Sequence, residues 1–368
     1  MKRITRLGPL VVALALAGCG AGAGTAGTAS TAPSMTPTAG AATVTPTPSP
    51  PLLVVAQQLP TSSVVRLVRL DATDVASTSG TFVSVTDGAV VVLDGVTLKT
   101  IAYAGAVQTM GTLVAAGDSS SVGGVVVSPD RSQWLYSVFS FSTLQSIIHL
   151  GSATSDRVLT TLTSPDGNGY LAPFAWNASG TWLDLNATGI GGAGPFLTYF
   201  FPLWRFDLST FKATPVSPQC RIVALTNGGT ELCESETGYT TVPPRGAPRA
   251  VAVARPTAFE VLSPDGTRVA LARNGGTSAS ESYQMATFAV DSTVSDFGPA
   301  DFVPTAWLPD GRLVATHSCI DAGFQGAPCD TSKNGTYIFS ADRTSSTLFF
   351  RWPPSNPSRV VACLPGTG

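Results

Sequence analysis

The sequence is short of the groups that most enzyme chemistry needs. It has two histidines, His149 and His317, in 368 residues. A hydrolytic triad requires a base within hydrogen-bond reach of its nucleophile. Both histidines sit in apolar strand-like runs, SIIHLG and VATHSC, where a structural hydrogen-bonding role is the simplest reading. No Gly-x-Ser-x-Gly elbow accompanies them, and the α/β-hydrolase pattern is absent. Cys-x-x-Cys does not occur, which removes the common zinc arrangement. No segment carries the alternating Asp pattern of a calcium loop, and no glycine loop follows a strand and opens a helix to cradle phosphate or a dinucleotide. Catalytic residues, metal ligands and cofactors are therefore all assigned as none. Charge is also scarce: 12% of residues are charged and the formal net charge is −2, so there is no basic footprint for nucleic acid. After residue 60 no apolar run approaches the roughly 20 residues that would cross a bilayer.

What is present begins at the N-terminus. Lys2, Arg3 and Arg6 precede an apolar run from Leu7 to Leu16, a charged n-region followed by a short h-region, as in an export signal. Leu16-Ala17-Gly18-Cys19 resembles the bacterial lipobox, with small residues before a cysteine. The resemblance implies a signal peptide over 1–18 and a diacylglyceryl group on Cys19, which becomes the mature N-terminus. A plain secretory peptide with an Ala-x-Ala site is the competing reading. Residues 19–51 are almost entirely Gly, Ala, Thr, Ser and Pro, too poor in apolar surface to fold. They form a lipid-anchored tether with an end-to-end distance of roughly 30 Å as a flexible coil. The lipid bilayer is thus the first expected partner, at the extracytoplasmic face of the cell membrane or on the periplasmic side of an envelope membrane.

The body, 52–368, contains a repeat. Ser128-Pro129-Asp130-Arg131, Ser263-Pro264-Asp265-Gly266 and Leu308-Pro309-Asp310-Gly311 each precede an aliphatic strand, and degenerate copies lie at Trp176-Asn177-Ala178-Ser179-Gly180 and Thr226-Asn227-Gly228-Gly229. Pro presets φ and Gly or Asn accepts positive φ, so each copy reads as a hairpin turn between two strands. The spacing of roughly 40–50 residues suits four-stranded blades. This turn and the strand after it resemble the WD40-like repeat of TolB-type β-propellers. Ser164-Pro165-Asp166-Gly167 fits the motif but falls too close to Trp176 to start a blade, and reads as a loop between blades. Gly and Pro total 65 residues and helical periodicity is absent. The expected fold is all-β, a propeller of six or seven blades with the last strand, SRVVACL, closing the ring.

Several residues remain to be placed. Asp130, Asp166, Asp265 and Asp310 read as turn residues. Glu231, Glu234 and Glu236 read as a solvated strand face. The aromatic run Phe196, Tyr199, Phe200, Phe201 and Trp204 reads as a third strand packed between blades. Export permits disulfides: Cys319 and Cys329 bracket a short Gly/Pro loop and are expected to pair, Cys220 and Cys233 flank a hairpin as diagonal neighbours, and the odd count of five body cysteines, with Cys363, leaves one over. With strands A to D in each blade, the Pro-Asp-Gly turns join A to B on one face. The B–C loops, about 186–194, 274–282 and 318–334, must emerge on the other. They are long, and binding sites concentrate on loops displayed by a rigid scaffold. Gly189, Thr277 and Phe324 mark this candidate binding face. The expected function is a membrane-anchored, non-catalytic scaffold binding an envelope protein or glycan. The alternative is a propeller hydrolase or lyase acting on an extracytoplasmic sugar or lactone, which requires carboxylates converging on the central channel.

Overall fold

The computed structural model describes residues 50–364 except 87, 118–119, 164–168, 177–181, 190–202, 216–220, 227–228, 236–237, 245, 252–256, 275–282, 290–294, 318–329 and 353–355. The chain is built from strands, with one 3₁₀ turn at Thr331–Lys333 among the described residues. It opens with β1 (Leu52–Gln58), β2 (Ser63–Arg69) and β3 (Asp74–Ser79). Blade 2 follows as β4 (Thr81–Thr86), β5 (Ala89–Asp94), β6 (Thr97–Ala102) and β7 (Val107–Thr112). Blade 3 is β8 (Ser120–Val127), β9 (Gln133–Ser140), β10 (Gln145–Ser152) and β11 (Asp156–Thr163). Blade 4 is β12 (Gly169–Trp176), β13 (Trp182–Gly189), β14 (Leu203–Asp207) and β15 (Lys212–Pro215). Blade 5 is β16 (Arg221–Leu225), β17 (Glu231–Ser235), β18 (Gly238–Val242) and β19 (Arg249–Val251). Blade 6 is β20 (Thr257–Leu262), β21 (Arg268–Asn274), β22 (Tyr283–Ala289) and β23 (Ser295–Asp296). Blade 7 is β24 (Phe302–Trp307), β25 (Leu313–His317), β26 (Gly335–Phe339) and β27 (Ser346–Arg351). The last strand, β28 (Ser358–Leu364), pairs antiparallel with β1 and completes blade 1 in the order β28-β1-β2-β3.

Seven four-stranded antiparallel sheets result, and the chain closes on itself through strands from its two ends. Among the described residues, an apolar cluster lies between each pair of successive blades. Val54 and Leu67 of blade 1 pack with Val90 and Ile101 of blade 2, and Leu98 packs with Trp134 and Tyr136 of blade 3. Leu135 and Ile148 meet Leu171 and Phe206 of blade 4, and Phe174 meets Ile222 of blade 5. Leu232 meets Val269 of blade 6, Met285 meets Trp307 of blade 7, and Val314 returns to Val360 of blade 1. This explains why the inner strands read as apolar on both faces: each sheet is sandwiched between two others.

The repeated turns take the expected place, each joining strand A to strand B. The copy at 176–180 lies, after Trp176, outside the described residues; in the other four the fourth residue has positive φ: Arg131 (60°), Gly229 (81°), Gly266 (70°) and Gly311 (84°). Its N–H donates to the first residue's carbonyl at 2.8 to 3.0 Å. Glycine suits that conformation, whereas Arg131 carries a left-handed cost of roughly 1–2 kcal/mol. Asp130 and Asp265 act as the turn reading requires. Each Oδ1 accepts from the Ser hydroxyl two residues earlier (2.6 and 2.5 Å) and from the backbone N–H two residues later (3.1 Å in both). Asp310 Oδ1 accepts the Arg312 N–H at 3.1 Å. Asp166 lies outside the described residues, but its segment does connect β11 of one blade to β12 of the next. A further A–B turn at 86–89, between β4 and β5, carries no Pro and was not legible as a repeat.

Every innermost strand also carries a bulge against its B strand. The extra residues are Val83, Gly124, Phe174, Val223, Thr305 and Val361, while β20 inserts two, Phe259 and Glu260. A bulge bends a strand and sharpens its right-handed twist, and here it recurs at the inner rim. At Gly124 (φ +44°) a Cβ would come within 2.2 Å of the Pro173 carbonyl oxygen on the neighbouring inner strand, so that position admits only glycine.

Candidate functional site

Strand direction assigns the two faces of the ring. Strand A rises to the A–B turns, strand B descends, and the B–C connections leave from the opposite face. The three strands expected to be B strands, β13, β21 and β25, are so placed, and they end at Gly189, Asn274 and His317. Their connections to strand C span 190–202, 275–282 and 318–334. The first begins later than expected, because 186–189 continue β13 in register with β12. Gly189 is therefore the strand's last residue, paired with Gly169, and not a loop residue. Thr277 and Phe324 lie outside the described residues. Of the aromatic run, Trp204 falls on β14, strand C of blade 4, and 196–201 lie outside the description.

Cys220, Cys319 and Cys329 also lie outside the described residues, so neither expected pairing is resolved. Cys233 in β17 and Cys363 in β28 are both disulfide-bonded. Residues 1–49, with Cys19, are likewise outside it.

The inner rim holds a polar cluster that sequence reasoning missed. The double bulge in β20 displays Phe259 and Glu260, both half-buried. Phe259 adopts φ +58°, a strained conformation for a bulky side chain. Arg359 of β28 stacks on it, with Cζ 5.3 Å from the ring centroid. Blade 7 stands between blades 6 and 1, so this contact joins the inner strands of two blades that are not neighbours. Glu260 Oε1 accepts from the Tyr239 hydroxyl at 2.5 Å, and Glu234 Oε1 lies 3.5 Å from the same hydroxyl. Glu234 is 2% exposed. The expectation of a solvated face at Glu231, Glu234 and Glu236 is thus wrong for Glu234, because blade 6 covers the side of β17 that Glu234 faces. Glu231 is half-buried and Glu236 lies outside the described residues. Among the described residues of the seven inner strands, Glu260 is the only acid.

The histidines resolve differently. His149 Nδ1 lies 2.8 Å from Asp156 Oδ1, and Tyr136 donates to Asp156 Oδ2 at 2.5 Å while accepting from the Val114 N–H at 2.9 Å. The Tyr136 and His149 rings stack at 4.7 Å. Burial, reinforced by the bond to Asp156, pushes the Tyr136 hydroxyl well above its ordinary pKa. This network ties β9, β10 and β11 together and is structural, as expected for His149. His317 ends β25 and is 3% exposed. Burial pushes it below the ordinary histidine value, outweighing a side-chain bond with Asn334, and its Nδ1 has no partner. A satisfied histidine was expected there; the ring is only partly satisfied.

The turn acids carry a pH dependence. Hydrogen bonds from the Ser128 hydroxyl, the Ser132 N–H and the Ser132 hydroxyl lower Asp130 to about 2. Its folded value lies below the unfolded one of about 3.9. The stabilisation is therefore complete above that value and is lost as pH falls towards about 2. Carboxyl-carbon NMR should find Asp130 titrating near 2, with the low-pH limb of stability flattened in Asp130→Asn. An ordinary value near 4 would contradict the geometry.

The geometry defines an all-β propeller with a closed ring of seven blades. Similar architectures occur among solved structures. TolB from Acinetobacter baumannii aligns over 85% of this chain and 82% of its own, at 14% identity and a TM-score of 0.39. An oligogalacturonate lyase in complex with manganese aligns over 82% and 85%, at 14% and 0.44. Kluyveromyces lactis Hsv2 aligns over 69% and 71%, at 12% and 0.42. No family model matches the chain, and no curated protein matches it either. At such identities and TM-scores none of these proteins transfers a function.

Proposed function

We propose that this chain is a lipid-anchored extracytoplasmic lipoprotein whose propeller is a non-catalytic scaffold, presenting its B–C face to an envelope protein or glycan. One observation carries the reading. Leu52, where β1 begins, pairs with Leu364, where β28 ends, and both sit on the A–B side of the ring. A tether running back from Leu52 to Cys19 therefore leaves from that side. The opposite face, with its three long connections, stays free of the anchor. The hydrolase or lyase alternative needs carboxylates meeting in the channel, and the inner strands as described offer Glu260 alone.

The anchor half is tested by Cys19→Ser. Two acyl chains hold a protein on a bilayer where one gives only marginal binding. Loss of the acceptor thiol should move the protein from the membrane pellet to the soluble fraction. A mutant that stays in the pellet after carbonate washing would refute the anchor.

A further inference from the structure

The A–B face holds two guanidinium groups that, among the described residues, have no carboxylate within ion-pair distance, although Asp265 and Asp342 lie near them. Arg268, at the start of β21 in blade 6, and Arg343, in the β26–β27 turn of blade 7, each place Cζ 5.0 Å from the centroid of the Trp307 ring. Trp307 is fully buried, and its Nε1 donates to the Val261 carbonyl at 3.2 Å, so the platform is fixed. The acids nearby are already engaged. Asp265 accepts from Ser263 and Thr267, Asp342 from Ser340 and Thr344, and Asp310 from Arg312 Nε at 2.7 Å. Among the described residues the Arg268 guanidinium makes no ion pair. Arg343 gives one N–H to the Ala341 carbonyl, while its buried Nε has no acceptor. Burial and then the neighbouring Arg268 charge lower the Arg343 pKa, outweighing the opposing field of Asp342. Beside them, though lined by neither, a groove of about 380 Å³ with Arg312, Ser340, Ser345 and the single acid Asp71 on its walls leaves room for a ligand.

We propose that Arg268 and Arg343, with Arg312 at the groove, form a phosphate-binding site on the A–B face. Guanidinium forks match phosphate oxygens in pairs, and such charge-assisted bonds are about twice as strong as neutral ones. The tether leaves from the same face, so the phosphate of an anionic lipid headgroup is the source within reach; free phosphate is the other. The lipid source rests on the anchored reading, whereas the site itself does not.

The test uses the mature chain carrying Cys19→Ser, so that acylation plays no part. Binding is measured to phosphatidylglycerol and phosphatidylcholine vesicles by co-sedimentation, and to inorganic phosphate by ³¹P relaxation. We expect preference for the anionic vesicles, weakened about tenfold in Arg268→Gln/Arg343→Gln. Arg131→Gln, which removes one exposed charge from the same face, should change it little. The Arg268→Lys/Arg343→Lys variant keeps the charge if the Gln pair proves unfolded, and should retain part of the binding. Phosphate binding without vesicle binding supports the site and assigns it a soluble anion. Equal losses in Arg131→Gln and the double variant, or no binding of either probe, overturn the proposal.

Discussion

Cutting the chain before Ser358 should abolish the cooperative unfolding transition. Residues 358–364 supply β28, which is the innermost strand of blade 1 although it comes from the far end of the sequence. Val360, Val361 and Leu364 are buried, packing towards blade 7 on one side and blade 2 on the other. At about 1.5–3 kcal/mol for each such side chain, their loss amounts to most of the stability of a typical domain. The cut also exposes the ladder edge of β1 and separates two blades that the remaining sequence cannot join. The truncated chain should melt without a sigmoidal transition and elute as an expanded or aggregated species. A truncated protein melting within a few degrees of the intact one would show that the ring is not closed this way.

Trp134→Ala should cost about 3–5 kcal/mol, the range for emptying a large buried aromatic site. Trp134, on β9, is 1% exposed and fills the space between blades 2 and 3. Its ring lies against two glycines. A Cβ on Gly111 of β7 would come within 2.3 Å of the ring, and one on Gly151 of β10 within 2.1 Å. The glycines exist to admit the indole, so the effects should couple. Gly151→Ala should be strongly destabilising in the native background and much less so once Trp134 is alanine. Urea midpoints for the two single variants and the double variant measure that coupling. Additive losses would mean that the indole and the glycines do not compete for the same space.

The ring was legible in the sequence to the extent that its chemistry is local. Pro129, Asp130, Gly266 and Gly311 set φ and hydrogen bonds within four or five residues, and these turns gave the blade spacing and the A–B edges. The 86–89 turn makes the same connection without Pro and escaped notice for that reason. The inner bulges depend on pairing between strands, and no residue type marks them. Phe259 and Arg359 are 100 positions apart, and only closure of the ring brings them together. Glu234 was misread because period-two spacing tells which side of a strand a residue faces but not whether another blade covers that side. Arg268 and Arg343 carry no local signal, and only the packing of blades 6 and 7 places both over Trp307.

The central claim is that the face opposite the tether meets the partner. In-cell photo-crosslinking, with a photoreactive phenylalanine at one position per variant, reads this directly. The account predicts one adduct of common mass from Gly189, Thr277 and Phe324, and its absence from Arg131 and Asp310 on the A–B face. Aromatic anchors often contribute about 2 kcal/mol or more at such contacts, so Phe324→Ala should also deplete that adduct when the probe is at Thr277. A protein adduct formed from Arg131 or Asp310, with none from the three B–C positions, would contradict it.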